Sequence, residues 1–173
     1  MSRANNLLLA AVFSVFTITG DAQGLDLPKD ISLKYTVDYS TYEPYVATCV
    51  NWIENTPLDQ DKDRHDDAYT FLVKWVNGAP NVHVVVEGKF VNLKQKKNYP
   101  LMALYMGEWS LYELKNGDKS NPTQAALQAI RAIIKVYKKG NGLAKDRGLE
   151  KLMALDEKGQ LEKYVTDNLP KKK

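Results

Sequence analysis

Apolar residues recur along most of this chain at the spacing of one helical face rather than with the strict alternation of a strand. From about Pro44 to Asn55, Tyr45, Val46, Cys49, Val50, Trp52 and Ile53 share a stripe. Pro44 suits a first turn and Pro57 stops the element. A second helix is predicted from about Asp61 to Asn77, with Ala68, Phe71, Leu72, Trp75 and Val76 on one face. Acids fill its first turn, and Gly78 and Pro80 follow its end. A third runs from Tyr99 to about Lys115 and a fourth from Pro122 to Lys139. The fourth carries a full set of boundary signals, with Asn121 as N-cap, Pro122 at the first position, Gln124 three residues after the cap, and Gly140 at the end. Its alanines, isoleucines and Val136 cover more than half of the wheel, which predicts a central position in the fold. Leu149, Leu152 and Met153 mark a short fifth helix; Leu161, Tyr164 and Val165 mark a sixth.

Two segments break the helical pattern. Residues 23–40 hold Pro28 and the alternating Leu33, Tyr35, Val37 and Tyr39, and are expected to form an extended arm. Residues 82–93 contain Val84, Val85 and Val86, a β-branched run that favours a strand, and Glu87-Gly88, which would turn a hairpin into Phe90 and Val91. A hairpin and a helix are both open here. The expected fold class is mainly α, a bundle of five or six helices with at most one short β-hairpin.

The first two dozen residues read differently. Arg3 precedes an apolar and small run from Leu7 to Ile18, shorter than the roughly 20 residues a membrane helix needs. It has the length of a signal-peptide core, and Gly20 and Ala22 supply small residues for a cut before Gln23. An uncleaved signal anchor is the alternative. The expected organisation is a signal peptide over 1–22, an arm over 23–40, one helical domain over 41–168 and a basic tail over 169–173. The mature chain would then carry no transmembrane segment and be exported to the periplasm or the exterior.

Charge and cysteine content narrow the function classes. The balance of 24 basic and 21 acidic residues, a formal +3, gives no electrostatic footprint of the kind nucleic-acid binding requires. The only cysteine is Cys49, so an intramolecular disulfide is excluded and stability must come from packing. A chain of this size buries roughly 70% of its unfolded surface, enough for one core.

Candidate chemistry is sparse. Asp59, Asp61 and Asp63 stand where a calcium loop places its first three carboxylates, but Arg64 replaces the glycine and Thr70 the bidentate glutamate. These acids are read as capping and solvating the second helix. His65 and His83 are too few for a three-histidine zinc site and lack cysteine partners. Cys49 lies mid-stripe and is read as a buried thiol. No phosphate loop, strained serine turn or redox cysteine pair is present, and no cofactor is implied. Lys171, Lys172 and Lys173 read as a solvated tail. One position departs from its surroundings. At 100° per residue Glu108 falls between Leu101 and Leu104, on the stripe of the third helix, where a carboxylate needs a partner. It is read either as a satisfied core pair or, beside Gly107 and Trp109, as part of a ligand or partner-binding groove.

The segments Trp52-Ile53-Glu54-Asn55-Thr56-Pro57-Leu58, Phe71 to Pro80 and Met106-Gly107-Glu108-Trp109 resemble a group of small signal-peptide-bearing helical proteins of unknown function from Bacteroidetes-type bacteria. In export, size and helical build the chain is also similar to periplasmic immunity proteins of type VI secretion systems, from which its single cysteine sets it apart. The expected function is a non-enzymatic binding or interaction module of the cell envelope that receives a protein or small ligand at an exposed apolar groove or at Gly107, Glu108 and Trp109. The alternative is a metal-dependent or hydrolytic enzyme built on Glu108, His65 and the nearby aspartates.

Overall fold

The computed structural model describes residues 24–91, 96–140 and 142–170. The leader expected over 1–22, the end of the 82–93 segment and the three C-terminal lysines lie outside the described residues. Six helices form: α1 (Thr36–Asn55), α2 (Lys62–Gly78), α3 (Pro100–Asn116), α4 (Pro122–Lys139), α5 (Arg147–Glu157) and α6 (Leu161–Asn168). The mainly helical bundle is therefore as the apolar spacing predicts. No described helix is long and apolar enough to cross a membrane.

The first helix begins at Thr36, eight residues before Pro44, so the extended arm is 24–35 rather than 23–40. Its start is set by Asp38, whose carboxylate accepts from the backbone N–H groups of Lys34 (2.8 Å) and Tyr35 (2.9 Å). Pro44 sits inside α1 rather than at its start. Tyr39 and Tyr42 extend the apolar stripe backwards and pack on the core. The indole N–H of Trp75 in α2 donates to the Tyr39 carbonyl at 2.9 Å, tying the two helices together.

The centre of the bundle is α3, not α4. It packs most extensively on α4 and also meets α1 and α2, while α4 turns to α5 and α6. The reason lies in the polar positions. Gln124, Gln128, Arg131, Lys135 and Lys138 recur three or four apart and give α4 one exposed face. The first two turns of α3 have no such face: Leu101, Ala103, Leu104, Tyr105, Met106 and Gly107 are all buried. Asn121 caps α4 by accepting from the N–H groups of Thr123 and Gln124, and Gly140 closes it in the left-handed region at φ 75°.

The segment after α2 forms neither hairpin nor helix over residues 82–87, and no strand occurs among the described residues. Two backbone groups of the run bond side chains of α3 instead of a second strand. Glu113 accepts from the His83 N–H at 2.6 Å and the Tyr105 hydroxyl donates to the Val85 carbonyl at 2.9 Å. At Glu87-Gly88 the chain curls into a single turn, with Phe90 N–H and Val91 N–H both donating to the Glu87 carbonyl. That turn drops Phe90 and Val91 into the core.

Candidate functional site

The three residues of the expected groove have different surroundings. Gly107 is buried where α1 crosses α3, and a β-carbon there would overlap Val50 Cγ2. Trp109 is fully buried, its ring tilted 53° to that of Tyr105 at 5.8 Å, and its indole N–H has no acceptor among the described residues. Glu108 is half-buried at the edge of α3. Its carboxylate accepts from the Gln128 side-chain amide of α4 at 2.7 Å, and the same amide reaches the Glu108 carbonyl at 3.3 Å. The partner is thus a neutral amide rather than a cation. Burial raises the Glu108 pKa, the Gln128 bond lowers it, nearby Glu54 raises it and Lys135 lowers it, with burial dominant. Glu54 itself pairs with Lys135 at 2.7 Å. None of the three residues lines the cavities described below.

His65 has a separate environment. It is buried in the first turn of α2, 4.5 Å from the Trp52 ring, with Nε2 donating to the Pro57 carbonyl at 3.1 Å. Because that carbonyl only accepts, the neutral ring carries its proton on Nε2. Nδ1 is left buried with no partner among the described residues. Burial pulls the pKa below 6.5, against smaller upward effects of the Pro57 bond, Asp61 and Asp66. Asp59, Asp61 and Asp63 are exposed, and Asp61 pairs with Arg64 at 3.2 Å. Among the described residues no three His, Cys, Asp or Glu side chains converge to hold a metal ion. Cys49 is buried in α1, and burial pushes its thiol up to about 12, which removes the thiolate a nucleophile needs.

A large concavity lies elsewhere, at the end of the bundle where α3 stops and α4 starts. It is a cleft of about 860 Å³, within the roughly 300–1,000 Å³ of ligand pockets. Four stretches of chain build it: Glu43 of α1; Pro80, Asn81, His83 and Val85; the α3–α4 connection from Glu113 to Pro122; and Leu169 with Pro170 after α6. Gly117, at φ 52°, ends α3 and lets the chain fold back. A narrower groove of about 400 Å³ runs between the arm and α2, lined by Leu27, Pro28, Ile31 and Phe71 with Lys29, Asp67 and Lys74.

Glu113, Asp118 and Glu43 were not among the residues singled out from the sequence, and His83 was weighed there only as a zinc ligand. Glu113 offers a signal in hindsight: an acid in the last turn of a helix, where the dipole disfavours it, needs another reason to be there. Compared with known proteins, the chain matches no family model, no curated protein and no solved structure.

Proposed function

We propose that the protein is an exported, non-enzymatic binding module of the cell envelope and that the cleft between the end of α3 and the start of α4 receives its ligand. Export is supported by the leader-like run Leu7 to Ile18 and the small residues before Gln23. The binding reading rests on one observation, a cleft of ligand size that joins apolar walls to a few convergent polar groups. Val85, Leu114, Pro122 and Leu169 supply the walls; Glu113, Asp118 and Ser120 supply polar atoms. Gly107 and Trp109 then serve the fold that carries this cleft, by close helix crossing and core filling. Glu108 tethers α3 to α4 through Gln128.

A protein-observed magnetic resonance screen of the full-length chain against neutral, anionic and cationic fragments tests this reading. Amide shifts are expected to cluster at Asn81, His83, Leu114 and Asp118. Hits that move Glu108 and Gln128 instead, or no hits in any class, would refute the assignment of the cleft.

A further inference from the structure

The charged lining of the cleft has one sign. Glu43, Glu113 and Asp118 face it, and no lysine or arginine is among its lining residues. Acids alone would define only a solvated face, but the Glu113 side chain is largely enclosed, the residue being 9% exposed. Oε2 accepts from the His83 N–H. Oε1 receives no hydrogen bond, and the carboxylate has no cationic partner, among the described residues. Buried carboxylates are normally matched by a cation, because desolvation without one is costly. A second polar group in the cleft wall also has an open position. Ser120 borders the cleft, and its hydroxyl oxygen is buried with no partner among the described residues. The carbonyl end of α3, which terminates at Gly117 in the cleft wall, adds partial negative charge from the helix dipole.

On the reading that the cleft is the receiving site, we propose that its ligand is an organic cation, an ammonium or guanidinium group on an apolar body. The cationic group bonds Glu113 Oε1 with Ser120 Oγ as a further acceptor, and Asp118 and Glu43 reinforce the field at the mouth. Val85, Leu114 and Leu169 take the apolar body. The group must be an N–H donor, because the open position on the Glu113 carboxylate is an acceptor; the Ser120 hydroxyl can accept from the same group. An anionic ligand would face three carboxylates and the negative end of α3 with no lysine or arginine among the lining residues to compensate.

The test uses the full-length chain and two source chemistries, followed by amide shifts at Asn81, Asp118 and Ser120. Phenethylamine stands for a free amine and is compared with 2-phenylethanol. Nα-acetyl-lysine amide stands for a lysine carried by a partner and is compared with its Nε-acetylated form. At least one cation is expected to bind about tenfold more tightly than its neutral counterpart, the factor of one charge-assisted hydrogen bond. Glu113→Gln keeps the acceptor for the His83 N–H and should reduce that preference to within about twofold. Asp118→Asn, at an exposed position, should weaken the cation severalfold without touching the core, which covers the case in which Glu113→Gln fails to fold. Equal binding of cation and neutral counterpart in the cleft would overturn the charge inference while leaving the cleft as the site. Shifts absent from the cleft with every probe would overturn both. Lys171, Lys172 and Lys173 follow the lining residue Pro170, so the titration is repeated on a chain ending at Pro170. Equal or tighter binding there supports the proposal, and loss of binding overturns it.

Discussion

Replacing Gly107 by alanine distinguishes a helix contact from a point of ligand approach. A β-carbon at 107 would overlap Val50 Cγ2 of α1 and stand 3.4 and 3.5 Å from the Leu72 methyls of α2. Both neighbours are buried, and a helical valine has one strongly preferred χ1, so Val50 has no free rotamer to retreat into. Overpacking of this kind costs about 1–3 kcal/mol. Helix propensity opposes it, since alanine is favoured over glycine by about 1 kcal/mol. The expected net loss is about 1 kcal/mol, read as a shift in denaturation midpoint at constant slope. Val50→Ala alone should cost about 2 kcal/mol, from two lost carbons at about 0.8 kcal/mol each plus the cavity left behind. In the double variant the alanine methyl at 107 enters the space vacated at 50. The two losses should then fall short of additivity by about 1 kcal/mol or more. If Gly107→Ala instead stabilises by about 1 kcal/mol, the gain of propensity alone, and the pair is additive, α1 and α3 do not cross here and Gly107 is free to meet something else.

Three further outcomes are expected. Folded His65 is held below 6.5 by burial, while the unfolded residue titrates near its ordinary value of about 6.5. Its contribution is therefore full above about pH 6.5 and is lost as pH falls through that value toward the folded pKa, at up to about 1.4 kcal/mol per pH unit. His65→Phe should flatten the melting profile below pH 6.5, and equal slopes would contradict the burial of the ring. Glu108 is shifted the opposite way, so its favourable contribution is present below its unfolded pKa and is lost as pH rises through the folded one. Glu108→Gln should accordingly unfold within about 0.5 kcal/mol of the parent at pH 7, or be the more stable of the two; a loss of about 3–5 kcal/mol would mean a broken buried ion pair. Asn98 is fully buried, donating to the Ala144 carbonyl at 2.9 Å and accepting from the Ala144 N–H at 2.8 Å. Asn98→Ala should cost about 2 kcal/mol and speed amide exchange at Ala144, and a loss under about 0.5 kcal/mol would contradict that clamp.

What could be read from the sequence was what is encoded locally. The ends of α4 follow from Asn121, Pro122 and Gly140, and each acts through its own neighbours. The start of α1 was hidden because Pro44 imitates a first turn and Leu33, Tyr35, Val37 and Tyr39 imitate a strand. The periods diverge at Tyr35 and Val37, which are 71% and 67% exposed, while Tyr39 packs inward with Tyr42 three residues on. Along α3 the stripe through Leu101, Leu104 and Tyr105 holds for two turns. Burial then moves to Trp109, Ser110 and Glu113, leaving Glu108, Leu111 and Tyr112 half-buried. A wheel cannot show this rotation, since it depends on which neighbour covers each turn. The valine run at 84–86 forms no strand, and the side-chain bond it receives, at the Val85 carbonyl, comes from Tyr105 of α3 rather than from a partner strand. The cleft was illegible for the same reason: Glu43, His83, Glu113 and Leu169 are brought together only by packing.

The decisive measurement is native mass spectrometry of the full-length chain after incubation with an extract of its own cell envelope, beside Leu114→Trp, which fills the cleft, and Gln128→Ala, which frees Glu108. Circular dichroism first establishes that all three share the parental helix content. The expected result is a small-molecule adduct on the parent and on Gln128→Ala that is missing from Leu114→Trp. An adduct retained by Leu114→Trp, or lost only from Gln128→Ala, would move the receiving site from the end of α3 to the Glu108 face and contradict the function proposed for this fold.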